Sequence, residues 1–108
     1  MRVIAGEFRS RRLQSLPGLA TRPTPDRLRE TLFNILAPRI EGATFLDAYA
    51  GTGAVGIEAI SRGARRVYFL EKAKAAVETI RANLTALGAE DRATVVVAPV
   101  LLALDRCE

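Results

Sequence analysis

A glycine-rich segment near the middle of the chain has the residue types and spacing of a nucleotide-binding loop. Gly51, Gly53 and Gly56 follow the pattern G-x-G-x-x-G, and Glu71 lies 20 positions after Gly51. Glycines at these positions allow a tight turn and a close approach of the backbone to a ligand. A carboxylate 20 positions later can accept hydrogen bonds from both ribose hydroxyls. The pattern therefore predicts a site for a ligand that contains a nucleoside.

Asp47 helps to choose between two classes of nucleoside ligand. Its carboxylate, four positions before Gly51, would be unfavourable beside the pyrophosphate of NAD but favourable beside the ammonium and sulfonium of S-adenosyl-L-methionine. We therefore predict S-adenosyl-L-methionine as the cofactor, with an NAD-dependent oxidoreductase as the less favoured alternative. A plainer interpretation stays open, in which Asp47 only accepts hydrogen bonds from loop amides and the glycines serve only the turn.

The elements around the loop alternate between two patterns. Short apolar runs predict strands, and stretches with an apolar residue every three or four positions predict helices. In chain order the strands fall at 44–49, 67–70 and 93–98, and the helices at 53–62 and 73–87. The order βαβαβ predicts parallel strands with right-handed crossovers. The fold class is therefore α/β and Rossmann-like, truncated after the third parallel strand, and the loop follows the first strand.

A further helix is predicted before the first strand. Thr24 is a suitable N-cap, Pro25 suits the first helical position, and Pro38 is expected to stop the helix after about residue 36. Its apolar side chains recur on one face, which we expect to cover the sheet and which consists of Leu28, Leu32, Ile35 and Leu36.

Positive charge is concentrated at the start of the chain. Residues 1–40 hold eight arginines against three acidic residues, a net charge of +5, whereas the rest of the chain has eight basic and nine acidic residues. We predict a basic hairpin or arm over residues 1–20, ahead of a domain over residues 21–108. Such a segment is typical of proteins that bind a phosphate backbone, although a solvated arginine-rich surface looks the same in sequence. The candidate RNA-binding residues are Arg2, Arg9, Arg11 and Arg12.

Composition argues against several other functions. The chain has no histidine and a single cysteine, Cys107, so a metal site or a Ser-His-Asp triad has almost no side chains to draw on. The longest apolar stretch, residues 95–104, contains Pro99 and is too short for a membrane helix. We expect a cytoplasmic monomer without metal or membrane segment.

Three blocks of sequence resemble the bacterial 16S ribosomal RNA guanine-N2 methyltransferases of the RsmD type. They are the basic opening over residues 1–13, TRPTPDRLRETLFNIL at 21–36, and DAYAGTGAVG at 47–56. The resemblance, which covers the whole chain, implies methylation of a guanine N2 amine in 16S ribosomal RNA, either free or in the assembling small subunit. A non-catalytic RNA-binding module of the same ancestry is the alternative.

The resemblance also implies a role for individual residues. It places Arg22, Pro23 and Thr24 over the methionyl end of the cofactor and Glu71 on the ribose, and the basic arm would hold RNA. The residues that it assigns to the loop around the cofactor are Asp47, Ala50, Gly51, Thr52, Gly53 and Gly56.

The sequence departs from this family in two places. Family members carry an acidic residue after the third strand for the adenine amine, but Pro99 stands there, so packing against Val100 or a contact from Asp105 would have to replace it. The catalytic signature, Asn or Asp followed by Pro-Pro and an aromatic residue, is absent from residues 1–108. We therefore assign no catalytic residue, and we expect the natural chain to continue into that signature and this part alone to be inactive.

Overall fold

Three helices and three strands make up the fold, which we describe from a computed structural model for residues 1–15, 26–48 and 50–97. A single 3₁₀ turn, Glu90–Arg92, precedes the last strand. In chain order the elements are α1 (Asp26–Ile40), β1 (Thr44–Asp47), α2 (Ala54–Ser61), β2 (Arg66–Leu70), α3 (Lys74–Leu87) and β3 (Ala93–Val96). No helix in these ranges is long and apolar enough to cross a bilayer.

The strands form one parallel sheet in the order β1-β2-β3. Thr44 lies opposite Arg66 in the first pair, and Val67 lies opposite Ala93 in the second. The predicted βαβαβ arrangement is therefore confirmed, with strand and helix ends within about three residues of those expected. Because all three strands run in the same direction, the segments that follow β1 and β2 emerge at one edge of the sheet.

The prediction that Pro38 stops α1 is wrong, because the helix continues to Ile40. Pro38 lies in the last turn, where its missing N–H leaves only one helical hydrogen bond unmade. Ile40 is buried in the core, which favours completing that turn. The chain then turns at Gly42, whose φ of 75° is left-handed. The predicted N-cap, Thr24, and Pro25 lie outside the described residues.

The predicted buried face of α1 is only partly confirmed. Leu28 and Ile35 are 58% and 72% exposed, whereas Arg29 and Phe33 are fully buried. The core therefore contacts a face rotated by about one residue, on which Phe33 packs 5.9 Å from the ring of Phe45. Leu32 and Leu36 are only partly buried beside the core. Apolar periodicity failed here because a charged side chain occupies the centre of the buried face.

The basic arm forms a hairpin, as predicted. Arg2 and Arg12 form an antiparallel bridge, the amide of Val3 donates to Arg11 O at 3.0 Å, and the amide of Leu13 donates to Met1 O at 2.9 Å. Its inward side chains, Val3, Phe8 and Leu13, are buried in the same cluster as the core residues of α2 and β2. The hairpin is thus part of the hydrophobic core.

Candidate functional site

The glycine loop connects β1 to α2 at the carboxyl edge of the sheet. Gly51 and Gly53 have φ values of 56° and 84°, in the region that disfavours residues with a Cβ atom. The amide of Gly53 donates to Ala50 O at 2.8 Å and closes the turn, and the amide of buried Ala50 donates to Leu70 O at 3.3 Å. The first two glycines are therefore required by the backbone conformation of the loop.

Gly56, the third glycine of the motif, serves helix packing. It lies in the first turn of α2, and a Cβ atom there would stand 2.3 Å from Phe69 Cε1 and 2.9 Å from Val67 Cγ1. Both neighbours are buried side chains of β2. The missing side chain thus lets the start of α2 lie directly on the sheet, which keeps the amide groups of its first turn beside the loop.

Asp47 ends β1 beneath the loop, where its Oδ2 accepts a hydrogen bond from the amide of Gly56 at 3.0 Å. Burial raises the pKa of this carboxyl from 3.8 to about 6. The bond from Gly56 opposes the increase in pKa, and the negative charge of Glu71 adds to it. A bond from a loop amide is what we expect if Asp47 serves only the structure of the loop. The buried negative charge is unfavourable by itself, and a cationic ligand would stabilise it.

Glu71 follows β2 at the same edge of the sheet. Its Oε1 accepts from the amide of Gly51 at 3.0 Å, and its Oε2 accepts from the amides of Lys72 and Ala73 at 3.0 and 2.9 Å. The carboxylate thus joins the glycine loop to the segment before α3. It lies near enough to Asp47 to raise the pKa of that carboxyl. The two predicted acidic residues are therefore brought together at one site.

Thr52 is buried and joins the loop to the arm through a residue that the sequence analysis did not identify. Asn83 of α3 donates from Nδ2 to Thr52 O at 3.2 Å and to Gln14 O at 3.2 Å, while its Oδ1 accepts from the amide of Gln14 at 2.6 Å. The Oγ1 of Thr52 also lies 3.9 Å from Met1 Sδ. In the sequence, this role was indicated only by the presence of an asparagine on the apolar face of α3, because a buried polar side chain needs hydrogen-bond partners.

A buried ionic group fastens the arm to the helices, and this too was not predicted. Glu58 of α2 accepts from the amides of Ile4 and Ala5 at 2.9 and 3.0 Å, pairs with Arg62 at 2.9 Å, and lies 3.7 Å from Arg29 Nε. Arg29 in turn donates to Arg2 O. A charged residue inside the otherwise apolar helix AVGIEAIS marked this position in the sequence.

All four arginines predicted to bind RNA are exposed, but they lie in different places. Arg2 and Arg12 face each other near the ends of the hairpin, whereas Arg9 lies in its turn. Arg11 donates from Nη2 to Ala86 O, in the last turn of α3, at 2.9 Å. Arg22, Pro23 and Thr24 lie outside the described residues, as do Pro99, Val100, Asp105 and Cys107.

Comparison with known proteins gives consistent matches. A family model described as Conserved hypothetical protein 95 matches residues 1–108. Ribosomal RNA small subunit methyltransferase D of Haemophilus influenzae is 46% identical over 87 residues, which are 81% of this chain and 45% of that protein. The protein of the same name from Escherichia coli K12 is 45% identical over 89 residues, covering 82% of this chain and 45% of its own length.

The solved structures share the fold. The Escherichia coli protein yhhF superposes with a TM-score of 0.85 and 41% identity, over 96% of this chain and 55% of that chain. The present chain therefore has a Rossmann-like methyltransferase fold, and it spans about half the length of the relatives it matches. Among its described residues, no three His, Cys, Asp or Glu side chains are grouped so that they could hold a metal ion.

Proposed function

Because the chain belongs to the RsmD family, we propose that it supplies the S-adenosyl-L-methionine-binding part of an enzyme that methylates a guanine N2 amine in 16S ribosomal RNA. The observation that carries the proposal is that the carboxyl groups of Asp47 and Glu71 lie close together beside a loop whose glycines have left-handed backbone conformations. The substrate is suggested by the names of the relatives and by the basic arm.

The charge of the site favours this cofactor over a dinucleotide. Two carboxylates at one edge of the sheet repel a pyrophosphate, but they attract the ammonium and sulfonium groups of S-adenosyl-L-methionine. Asp47 would stabilise that charge from beneath the loop, and Glu71 would accept hydrogen bonds from the ribose in exchange for its bond to Gly51. Arg22, Pro23 and Thr24 are assigned to the methionyl end by the family resemblance.

When bound, the cofactor supplies an electrophilic methyl group on its sulfonium. The residues of this chain would bind and orient it, and they would present it to an extruded base, so their contribution to rate is positioning. The loop is well suited to that task because Asp47, Glu71 and Asn83 each hold part of its backbone. The proposal includes no metal and no membrane contact, and it places the protein in the cytoplasm as a monomer.

Calorimetric titration with S-adenosyl-L-methionine tests the cofactor site. We expect binding by the protein and none with NAD. Asp47→Asn and Glu71→Gln keep the side-chain shape but remove the charge, so each should weaken binding by about tenfold, as expected for loss of one charge-assisted contact. Glu78→Gln, an exposed substitution on α3, is the matched control and should leave affinity unchanged.

The second half of the test is methyl transfer. Because residues 1–108 lack the catalytic signature, they are joined to a segment that carries the signature of the family and incubated with small-subunit ribosomal RNA and with partly assembled subunits. The nucleosides are then analysed by mass spectrometry for N2-methylguanosine. Appearance of that nucleoside supports the proposal for whichever substrate yields it. Binding of NAD instead of S-adenosyl-L-methionine would indicate an oxidoreductase, whereas RNA binding without cofactor binding or methylation would indicate a non-catalytic module.

A further inference from the structure

Arg2 and Arg12 form a pair of like charges across the hairpin. They are partners in an isolated antiparallel bridge, so their side chains leave the same face of the hairpin with Cβ atoms about 5 Å apart. Both are exposed, while the neighbouring Val3 and Leu13 point into the core. Two positive charges directly opposite each other destabilise a strand pair. An anion between them would remove that cost.

Neither guanidinium is neutralised by the described part of the protein. No carboxylate there lies within 4.0 Å of Arg2 or Arg12, although Asp26 and Glu30 line the same surface cleft as Arg2. The one hydrogen bond recorded for the Arg2 side chain in this part is a 3.5 Å contact to Ser10 O. Both groups can therefore accept a ligand without breaking an ion pair.

The backbone that carries the pair is fixed in place. Glu58 accepts from the amides of Ile4 and Ala5, and Arg29 donates to the carbonyl group of Arg2 itself. The amide of Phe8 donates to Ser61 Oγ at 2.9 Å. A preorganised pair binds a ligand with less loss of conformational entropy than two independent surface side chains would.

The pair also lies at the end of the arm nearest the cofactor loop. Met1, next to Arg2, contacts Thr52, and Gln14, two residues after Arg12, is bonded to Asn83, which also bonds Thr52. Arg11 differs, because its guanidinium donates to a carbonyl in the last turn of α3, where a cation is stabilised by the helix dipole.

We propose that Arg2 and Arg12 together form a single binding site for one phosphate of the RNA backbone, beside the cofactor loop, and that Arg11 serves the packing of the arm. The inference rests on the proposed function, since it takes RNA as the ligand and the loop as the methyl-donor site. It narrows the four candidate arginines to a pair that acts as one unit.

The sharpest test is Arg12→Glu, which turns a repulsive pair into an attractive one. We expect this variant to unfold at a temperature about 3 °C higher than the wild type in the absence of RNA, since opposite charges stabilise a cross-strand pair. Its affinity for a small-subunit RNA fragment, measured by fluorescence anisotropy, should fall at least about tenfold. Arg81→Glu makes the same charge change roughly 200° around α3 from Asn83 and should show neither effect.

A cycle of Arg2→Gln and Arg12→Gln then tests whether the two act as a unit. If they hold one phosphate, each single variant loses about tenfold in affinity and the double variant loses little more, instead of the product of the two. The slope of log affinity against log salt should fall by about 0.7 to 1 in all three. Arg11→Gln should keep the wild-type slope.

The outcomes separate the two proposals. Additive losses, or RNA affinity and salt slope unchanged by Arg2 and Arg12 variants, would overturn the shared phosphate site while cofactor binding stays intact. A loss of RNA affinity in Arg12→Glu without a rise in unfolding temperature would mean that the two charges do not repel, which also contradicts the site. Absence of S-adenosyl-L-methionine binding would overturn the proposed function, whatever the arginine variants do.

Discussion

Asp47 shows how one buried carboxyl can be unfavourable for the fold and useful for binding. It is enclosed beneath the loop, and among the residues that the structure describes the amide of Gly56 donates to it. With a pKa of about 6 in the folded protein and 3.8 in the unfolded chain, this carboxyl keeps its proton on folding between about pH 4 and pH 6 and ionises above that range. The ionised carboxylate is therefore destabilised by burial in the absence of a ligand, and a cationic group at the loop would stabilise it.

Asp47→Asn should remove this pH-dependent cost. Between about pH 4 and pH 6 the folded state binds more protons at this site than the unfolded state does. The contribution of Asp47 to the free energy of unfolding of the wild type therefore falls as the pH rises, and it stays low above about pH 6. Asparagine can still accept from Gly56 and does not ionise. We expect the free energy of unfolding of the variant to increase relative to the wild type by about 2 to 3 kcal/mol over that window.

Urea unfolding at about pH 4 and about pH 7.5 measures this difference. The comparison between variant and wild type cancels the titration of the groups whose charge does not influence Asp47. A constant difference at both pH values would mean that the pKa of Asp47 is the same in the folded and unfolded states, so that burial does not destabilise its charge.

Sequence was a good guide to residues that act through charge at strand ends. Asp47 and Glu71 were identified from their spacing to Gly51 of the glycine motif, and the structure brings them together at one edge of the sheet. Asn83 was not identified because its partners are backbone groups far away in the chain, and Arg29 was not because Arg2 O and the Glu58 carboxylate lie on other elements. Such contacts depend on tertiary packing and leave no local pattern.

At the scale of the elements, the fit of α2 on β2 depends on Gly56. Gly56→Ala would place a methyl group well inside the van der Waals distance of the Phe69 ring, which is fully buried. We expect a loss of stability of about 2 to 3 kcal/mol, typical of overpacking a core. Thermal unfolding followed by circular dichroism measures it.

Two further variants test whether contact with the Phe69 ring is the cause of this loss of stability. Gly42→Ala introduces a methyl group into open space at a φ of 75°, so it should cost only the backbone strain of about 1 kcal/mol. Phe69→Leu combined with Gly56→Ala should cost less than the sum of the two single changes, because the smaller side chain makes room. Additive costs in that pair would show that steric contact with Phe69 is not the reason.

The elements themselves were largely predictable, since parallel strands and the α3 repeat rest on apolar periodicity alone. The orientation of α1 about its axis could not be predicted in this way, and the reason lies in the residues of its buried face. Arg29 and Phe33 occupy the core while Leu28 and Ile35 remain exposed, a choice that follows from the position of Glu58 on another helix. An ion pair between two elements cannot be recognised from the pattern of either one.

Over the whole molecule, the basic arm has two roles that the sequence suggested only in part. Its outward arginines provide most of the excess positive charge, as its composition indicated. Its inward side chains are core residues, and its backbone amides satisfy a carboxylate, that of Glu58, which is fully buried. Removing the arm would therefore leave a buried charge without its amide donors, in addition to exposing apolar surface.

Deletion of residues 1–13 should consequently unfold the domain. Val3, Phe8 and Leu13 are almost completely buried, and burial of such side chains contributes about 1.5 to 3 kcal/mol each, together comparable to the about 5 to 15 kcal/mol that stabilises a typical domain. The control, Arg9→Gln with Arg12→Gln, removes two charges but keeps these contacts, so in thermal circular dichroism it should unfold cooperatively, at the wild-type temperature or slightly above it. If the deleted form also unfolds cooperatively, the arm is an appendage and its apolar contacts are dispensable. If it does not, loss of RNA binding on deletion says nothing about charge, and only point substitutions of the arginines can measure their contribution.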